Sequence, residues 1–479
     1  KSVVMKKYLI SFFIFSATSA AIAQAPADLL TKQADIDSVR NVPAESVANQ
    51  TGDGAENEKA VPKEPGTATV ATEQDYFDFL RILHAEQPKK SGHLLGRLAR
   101  PSKDLGEHKI SEYDTYLKIY FPNAHSDHVQ RFMIESFVDQ EKWDEAELAL
   151  LKFVYLYPNS ALKKTVIENG YVLLEEEDHY QSNRDKLVTL LQEAPRSGEI
   201  QNRYFKFLSA VHGLRDPKLK PLFKREAWEY LRLYSNLPRA SKALMGLAGV
   251  ELSNGAHHSA LMIYEKLMTM YSTSREFASA LFQSGKLKQE QFGEYNEATA
   301  NFRQFLKQFP EHRFVAEAQY RIAAIADQNF NDWTTAIGEY EKVVTQHPTN
   351  VYTIPSLLRA GEIQATKLRQ EEEAIATYNR IASEYPDSTV QVTKALQRAG
   401  KLYEKSKEYE EAIAQYMVVY EKYPGSEGAL VSLEKCAVIY EKKIKRKDKA
   451  VEKLNIIVKE YPGTKKAKKA AKRIKKLNK

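Results

Sequence analysis

The stretch that decides the fold is "EYPDSTVQVTKALQRAGKLYEKSKEYEEAIAQYMVVYEKYPGSEGAL", residues 384–430. It opens and closes on one phrase, an aromatic, a proline, one further residue and a hydroxyl: Tyr385-Pro386-Asp387-Ser388, then Tyr423-Pro424-Gly425-Ser426. The phrase belongs to a longer series. Pro310, Pro348, Pro386, Pro424 and Pro462 follow one another at intervals of 38 residues, behind Phe309, His347, Tyr385, Tyr423 and Tyr461. A fixed period of this size means stacked supersecondary units, none of which can bury its apolar face alone.

Inside the unit the pattern is helical. Ala395, Leu396, Ala399, Gly400, Leu402 and Tyr403 fall on one stripe, and Ala412, Ile413, Tyr416, Val419, Tyr420 and Tyr423 form a second ladder at i, i+3, i+4, i+7 spacing. The polar run between them reads as a turn, so the unit is a helical hairpin. The proline stops one helix, since it lacks a backbone donor and restrains the residue before it. The hydroxyl two residues on, at Ser160, Ser388, Ser426 and Thr464, is placed to cap the next helix. Gly400 costs up to ~1 kcal/mol of helix propensity relative to alanine, which is explained if the second helix approaches closely there.

These residues carry a resemblance. Gly400, Tyr403, Ala412, Tyr416, Val419 and Pro424 fall at the signature places of the tetratricopeptide repeat. Phe137, Ala146, Leu150 and Phe153 before Pro158 look similar, with Trp143 in the turn; so do Ala298, Phe302 and Phe305, then Ala336, Tyr340 and Val343, then Ala374, Tyr378 and Ile381. The last full unit has Ala437, Tyr440, Ala450, Leu454 and Ile457, with one extra residue in its turn. The resemblance implies an all-α, right-handed solenoid of about ten hairpins, with first helices on the inner surface and second helices outside. It also implies a protein-binding scaffold without catalysis, cofactor or small-molecule substrate.

The expected organisation is a secretory signal over 1–23, a disordered linker over 24–75, degenerate repeats over 76–245, regular repeats over 246–463 and a basic capping helix over 464–479. Lys6 and Lys7 precede the apolar run "YLISFFIF", and Ala21-Ile22-Ala23 offers a cleavage site near Ala23, so export to the periplasm of a Gram-negative-type bacterium is expected. Residues 24–74 contain no aromatic, while Pro26, Pro43, Pro62 and Pro65 punctuate them, the composition of a tether. The one cysteine, Cys436, excludes an internal disulfide and reads as a buried, inert thiol.

Motifs for chemistry are weak. His125, Asp127 and His128 could hold a metal, but two histidines without a third ligand make a poor zinc site, and capping by Ser126 or Asp127 explains the run. His257 and His258 read as solvated turn residues. No phosphate-cradling loop, nucleophile elbow or His-Glu-x-x-His occurs. Charge is uneven. Residues 441–479 hold seventeen Lys and Arg against four acids, a balance of +13 that leaves −6 for residues 1–440. In the last segment Lys465, Lys468, Lys469, Lys472, Arg473 and Lys476 lie off the stripe formed by Ala467, Ala470, Ala471, Ile474 and Leu477. They suit a solvating cap, an anionic lipid or an acidic polymer; nucleic acid is disfavoured by export. Groove candidates are Lys394, Gln397, Lys401 and Lys405, which project away from the packed stripe. The family's clamp for a terminal carboxylate needs Asn and Lys where this chain has Leu358 and Glu434.

The resulting expectation is an exported, non-enzymatic adaptor whose partners are other envelope proteins or peptides. It is similar to repeat proteins of the Tol-Pal division system, of outer-membrane assembly or of envelope motility machines. The alternatives are the superhelical part of a cell-wall-processing system, which needs a catalytic domain, and a binder of an anionic envelope surface.

Overall fold

Seven of the ten described hairpins turn on the same backbone device. In these a residue with positive φ stands two positions before the second helix: Glu141, Gly255, Gly293, Asn331, Arg369, Lys407 and Lys445, the last six at 38-residue intervals and the first three such intervals ahead of Gly255. The left-handed conformation reverses the chain, and side chains other than glycine adopt it at a cost of about 1–2 kcal/mol. The period lives in the backbone as well as in the prolines.

A computed structural model describes residues 72–86 and 103–478. The expected signal segment, and the linker up to residue 71, lie outside the described residues. The hairpins pair α1 (Glu73–Ala85) with α2 (Lys103–Tyr120), α3 (Ser126–Asp139) with α4 (Trp143–Leu156), and α5 (Lys163–Glu176) with α6 (Arg184–Gln192). Next come α7 (Ile200–Leu214) with α8 (Lys220–Tyr234), and α9 (Ala240–Ser253) with α10 (His257–Met270). The regular part pairs α11 (Phe277–Leu287) with α12 (Tyr295–Gln308), α13 (Val315–Gln328) with α14 (Trp333–Gln346), and α15 (Thr353–Ile363) with α16 (Glu371–Glu384). It ends with α17 (Thr389–Lys405) and α18 (Tyr409–Lys422), α19 (Glu427–Ile439) and α20 (Lys447–Glu460), and the single helix α21 (Lys465–Leu477). No strand occurs among the described residues. The fold is an α-solenoid of ten described hairpins closed by one helix.

Helix α1 begins at Glu73, three residues inside the stretch expected as linker. Thr72 and Asp75 form a reciprocal capping box there, the Asp75 amide donating to the Thr72 hydroxyl and the Thr72 amide to the Asp75 carboxylate.

The expected caps form at two of four places. Ser426 Oγ accepts from the Ala429 amide and Thr464 Oγ1 from the Ala467 amide, each at 3.0 Å. Both follow a glycine at φ near +80°, Gly425 and Gly463, which swings the hydroxyl residue into extended backbone at ψ 152°. Asp387 stands where those glycines would, and Ser388 sits at ψ 59° with no side-chain cap. Ser160 instead donates to Asp127 at 2.6 Å and accepts from the Leu162 amide, ahead of a helix that starts at Lys163.

Packing explains Gly400. A Cβ there would lie 2.7 Å from the Tyr416 ring, as it would at Gly361 against Tyr378, and 2.9 Å from Phe302 at Gly285. In these three hairpins the large aromatic of the second helix lies directly on the first helix, buried. Removing such a ring from water contributes about 1.5–3 kcal/mol. The extra turn residue expected in the last unit is taken up as a π turn over Tyr440–Ile444, and the same device recurs at Lys288–Phe292 and Gln364–Leu368. Cys436 is fully buried, and burial pushes its thiol up to about 12.

Between 160 and 245 the stack departs from regularity. Helix α7 packs against α4, the place that α5 would hold in a regular array. The hairpin α5–α6 is carried on the flank of α4, where Tyr180 donates to the Trp143 carbonyl at 2.8 Å and His179 meets Asp144 at 2.8 Å. The length is nonetheless conserved: three 38-residue intervals separate Pro158 from Ser272, which stands where a proline is due.

Candidate interaction surface

A first helix touches its predecessor with one flank and its successor with the other, and what lies between is its free face. In α17 the Gln397 amide donates to the Gly428 carbonyl of α19 at 2.8 Å and to Ser432 Oγ at 3.3 Å. Arg398, on the other flank, reaches the Leu358 carbonyl and Glu362 of α15. Lys394 and Lys401 are exposed between them. Of the four groove candidates, then, Gln397 is a strut between consecutive helices rather than a free donor. Lys405 is exposed but ion-paired to Glu371 at the start of α16.

The flanks carry a ladder that reading the apolar positions alone misses. Arg321, Arg359, Arg398, Lys435 and Arg473 occupy one repeat position, two residues before the small residue in the first four cases. Each turns back onto the preceding first helix or its turn: Arg321 to Glu290 at 2.8 Å, Arg359 to Asp327 through two hydrogen bonds, Arg398 to Glu362 at 3.7 Å, Lys435 to Glu404 at 4.0 Å and Arg473 to Glu441. Asp327 is almost wholly buried, and its hydrogen bond holds the Arg359 guanidinium well above its ordinary value. A bidentate pair of this kind fixes geometry as well as energy. The signal in the sequence is a basic residue recurring at 37 to 39 residues.

At the C-terminus α21 docks as a further first helix. Ala467 and Ala470 are buried against a cluster containing Leu430, Leu433, Leu454 and Ile457, with Ile474 and Leu477 packed beside them. Arg473, grouped in sequence with the anionic-surface candidates, belongs to the ladder. Lys465, Lys468, Lys469, Lys472 and Lys476 are exposed. Leu358 and Glu434, at the places of the carboxylate clamp, are otherwise engaged: Leu358 is partly buried, and Glu434 meets Lys466 at 3.6 Å.

The histidine run near residue 125 is structural in its contacts. His125 stacks on Phe77 with ring centroids 4.1 Å apart and meets Glu73 at 3.0 Å; His128 meets its neighbour Asp127. Neither Ser126 nor Asp127 caps α3: Ser126 bonds Asn123 in the loop before it, and Asp127 accepts from Ser160. No group of three His, Cys, Asp or Glu able to hold a metal occurs among the described residues.

A cleft of about 590 Å³ lies between α2, α3, α4 and α8, lined by Ile110, Met133, Phe137, Leu148 and Trp228. At its floor Lys152 meets Glu226 at 2.7 Å, and the Tyr204 hydroxyl donates to the same carboxylate oxygen. Burial pushes Glu226 up, but the Lys152 and Arg225 charges outweigh it and hold the carboxyl below its ordinary value.

Residues 279–312, 317–350, 356–388, 394–426 and 433–464 each match the family model described as "Tetratricopeptide repeat". Residues 279–464 thus carry a run of five tetratricopeptide repeats. No curated protein matches it. Among solved structures, a tetratricopeptide repeat protein from Parabacteroides merdae is 16% identical, with a TM-score of 0.33, over 58% of this chain and 100% of that one. PilF of Pseudomonas aeruginosa is 16% identical with a TM-score of 0.32, over 48% and 97%. MamA from Desulfovibrio magneticus is 19% identical with a TM-score of 0.30, over 39% and 97%. Tetratricopeptide repeats build scaffolds for protein–protein interaction and are in general not catalytic. No described helix is long and apolar enough to cross a membrane.

Proposed function

We propose that this tetratricopeptide-repeat protein is an exported, non-enzymatic adaptor that holds proteins of a bacterial cell-envelope complex along the free faces of its first helices. The observation that carries the reading is the ladder. By joining consecutive first helices through their flanks, it makes their free faces one continuous wall, and a wall of fixed spacing is what a multi-point protein contact requires. Along α17 that wall presents Lys394 and Lys401, whereas the acids beside it are engaged internally, Glu404 with the Tyr416 hydroxyl and Lys435, Glu362 with Arg359 and Arg398. Export is supported by the signal-like segment ending near Ala23 and by the proline-punctuated tether after it.

The test is affinity purification of the tagged mature chain from cross-linked envelopes. Recovery of a defined set of envelope proteins, reduced in a Lys394→Glu/Lys401→Glu variant, is the expected result. Recovery of the chain alone, or of the same proteins with that variant, would count against a first-helix adaptor.

A further inference from the structure

The C-terminal excess of positive charge is concentrated by folding. The four acids of residues 441–479 are all engaged within the chain: Glu441 with Arg473, Asp448 with Arg446, Glu452 with Lys449 and Lys453, and Glu460 with the Tyr420 hydroxyl. Those contacts also occupy the only two arginines of the segment. What remains exposed and without an acidic partner among the described residues is lysine alone.

The Glu441–Arg473 contact does more than neutralise. Glu441 lies in the π turn that joins α19 to α20, and Arg473 lies in the second half of α21. The contact brings the π turn, with exposed Lys442, Lys443 and Lys445 next to Glu441 in sequence, to α21, along which exposed Lys468, Lys472 and Lys476 recur every four residues. Exposed lysines of two segments, 23 residues or more apart in sequence, thus meet through one ion pair at the C-terminal end of the array.

The chemistry of these lysines selects their partner. Lysine ammonium groups are compact, hydrated point charges, without the planar fork by which arginine recognises individual carboxylates or phosphates. An all-lysine surface therefore suits a diffuse sheet of negative charge better than a shaped acidic peptide. The apolar stripe of α21 is already docked on the repeat core, so contact stays at the depth of headgroups, without insertion. We propose that these lysines form one composite edge that docks the chain peripherally on a membrane surface rich in anionic phospholipid headgroups. The proposal stands apart from the adaptor reading, since it requires no protein partner.

Cosedimentation of the full chain with phosphatidylcholine vesicles, with and without phosphatidylglycerol, tests it. Binding is expected only with phosphatidylglycerol and should weaken steeply with salt, because each lysine near such a surface contributes about fivefold in partitioning. The triple variants Lys442→Gln/Lys443→Gln/Lys445→Gln and Lys468→Gln/Lys472→Gln/Lys476→Gln should each lose about a hundredfold. The corresponding arginine triples, which keep the charge, should retain binding and show that the loss is not one of folding. Unchanged binding in the turn triple would overturn the composite edge. Equal binding to pure phosphatidylcholine, or capture of polyglutamate without capture of phosphatidylglycerol vesicles, would overturn the membrane assignment.

Discussion

From Phe277 to Glu460 each hairpin rests on its predecessor, whereas between Lys163 and Gln192 one hairpin rides outside the stack and its successor takes its place. Both regions keep, in sum, the same 38-residue interval, although α6 has 9 residues where the regular second helices have 14. They differ in what joins consecutive units. From α13 onward a basic residue of each first helix clasps the preceding first helix or its turn, at one repeat position. At the displaced hairpin the joint is made by single bonds to the flank of α4, and the next hairpin is secured by the buried Lys152–Glu226 pair instead. Conserved length keeps the array in register even where one unit is absent from the stack, so period and stacking are separable properties of a solenoid.

The largest effect should come from the joint that bypasses the displaced hairpin. Glu226→Ala leaves Lys152, largely buried, without its counter-charge and Tyr204 without its acceptor, a loss on the order of 3–5 kcal/mol. Differential scanning calorimetry should show the domain around α4, α7 and α8 melting early while the regular C-terminal units keep their transition. A single unchanged endotherm would mean that α7 holds its place by apolar packing alone.

Glycine replacements separate close approach from mere helix propensity. Gly400→Leu forces a side chain into the Tyr416 ring and should cost about 1–3 kcal/mol by overpacking. Gly249→Ala in α9, where an added Cβ meets nothing within 4 Å, should instead stabilise by up to about 1 kcal/mol. Equal thermal midpoints for the two variants would show that the aromatic of the second helix does not rest on its glycine.

The sequence makes the period, the hairpin and the packed stripe legible because these depend on proline, glycine and apolar spacing, which few other arrangements would produce. Tyr416, Val419, Ala412 and Gly400 could all be placed on their faces. The ladder was harder to see: charged residues occur on every soluble helix, and Arg398 differs from Lys394 only in pointing at a neighbour that the sequence does not locate. Ser388 departs from the expected cap because capping depends on the residue before it, a left-handed glycine in two repeats and Asp387 in this one. The displaced hairpin is hidden for a different reason, since counting residues cannot distinguish two stacked units from one stacked and one on the flank.

Glu147 offers a smaller, tunable test of that flank. It is buried in α4 with one carboxylate oxygen unpartnered, and burial, reinforced by Asp216 and Asp144 and opposed by Lys218, raises it from its ordinary value near 4.5 up to about 8. Tyr180 of the displaced hairpin's turn faces the same group. The folded chain binds this proton more tightly than the unfolded one, so its contribution is complete at low pH and is lost as pH rises from about 4.5 towards 8. Protection of residues 163–192 against hydrogen exchange, corrected for intrinsic rates, should therefore fall by up to about tenfold per pH unit across that window. Glu147→Gln should flatten the dependence, and an identical slope in that variant would assign the pH response elsewhere.

The smallest effect tests the turn that recurs on both sides of the displaced hairpin but is missing from it. Lys407 holds φ at 65° before α18, whereas the equivalent positions before α10 and α12 carry Gly255 and Gly293. A non-glycine residue there costs about 1–2 kcal/mol of backbone energy, against about 0.5–1 kcal/mol that glycine adds through the entropy of the unfolded chain. Lys407→Gly should thus stabilise the C-terminal units by about 0.5–1 kcal/mol, read as a rise in their melting temperature. Lys407→Val, which is β-branched and resists positive φ, should lower it. If glycine destabilised and valine did not, the turn would be held by contacts of the Lys407 side chain rather than by its backbone, and the 38-residue recurrence of positive φ would be a consequence of helix packing instead of its cause.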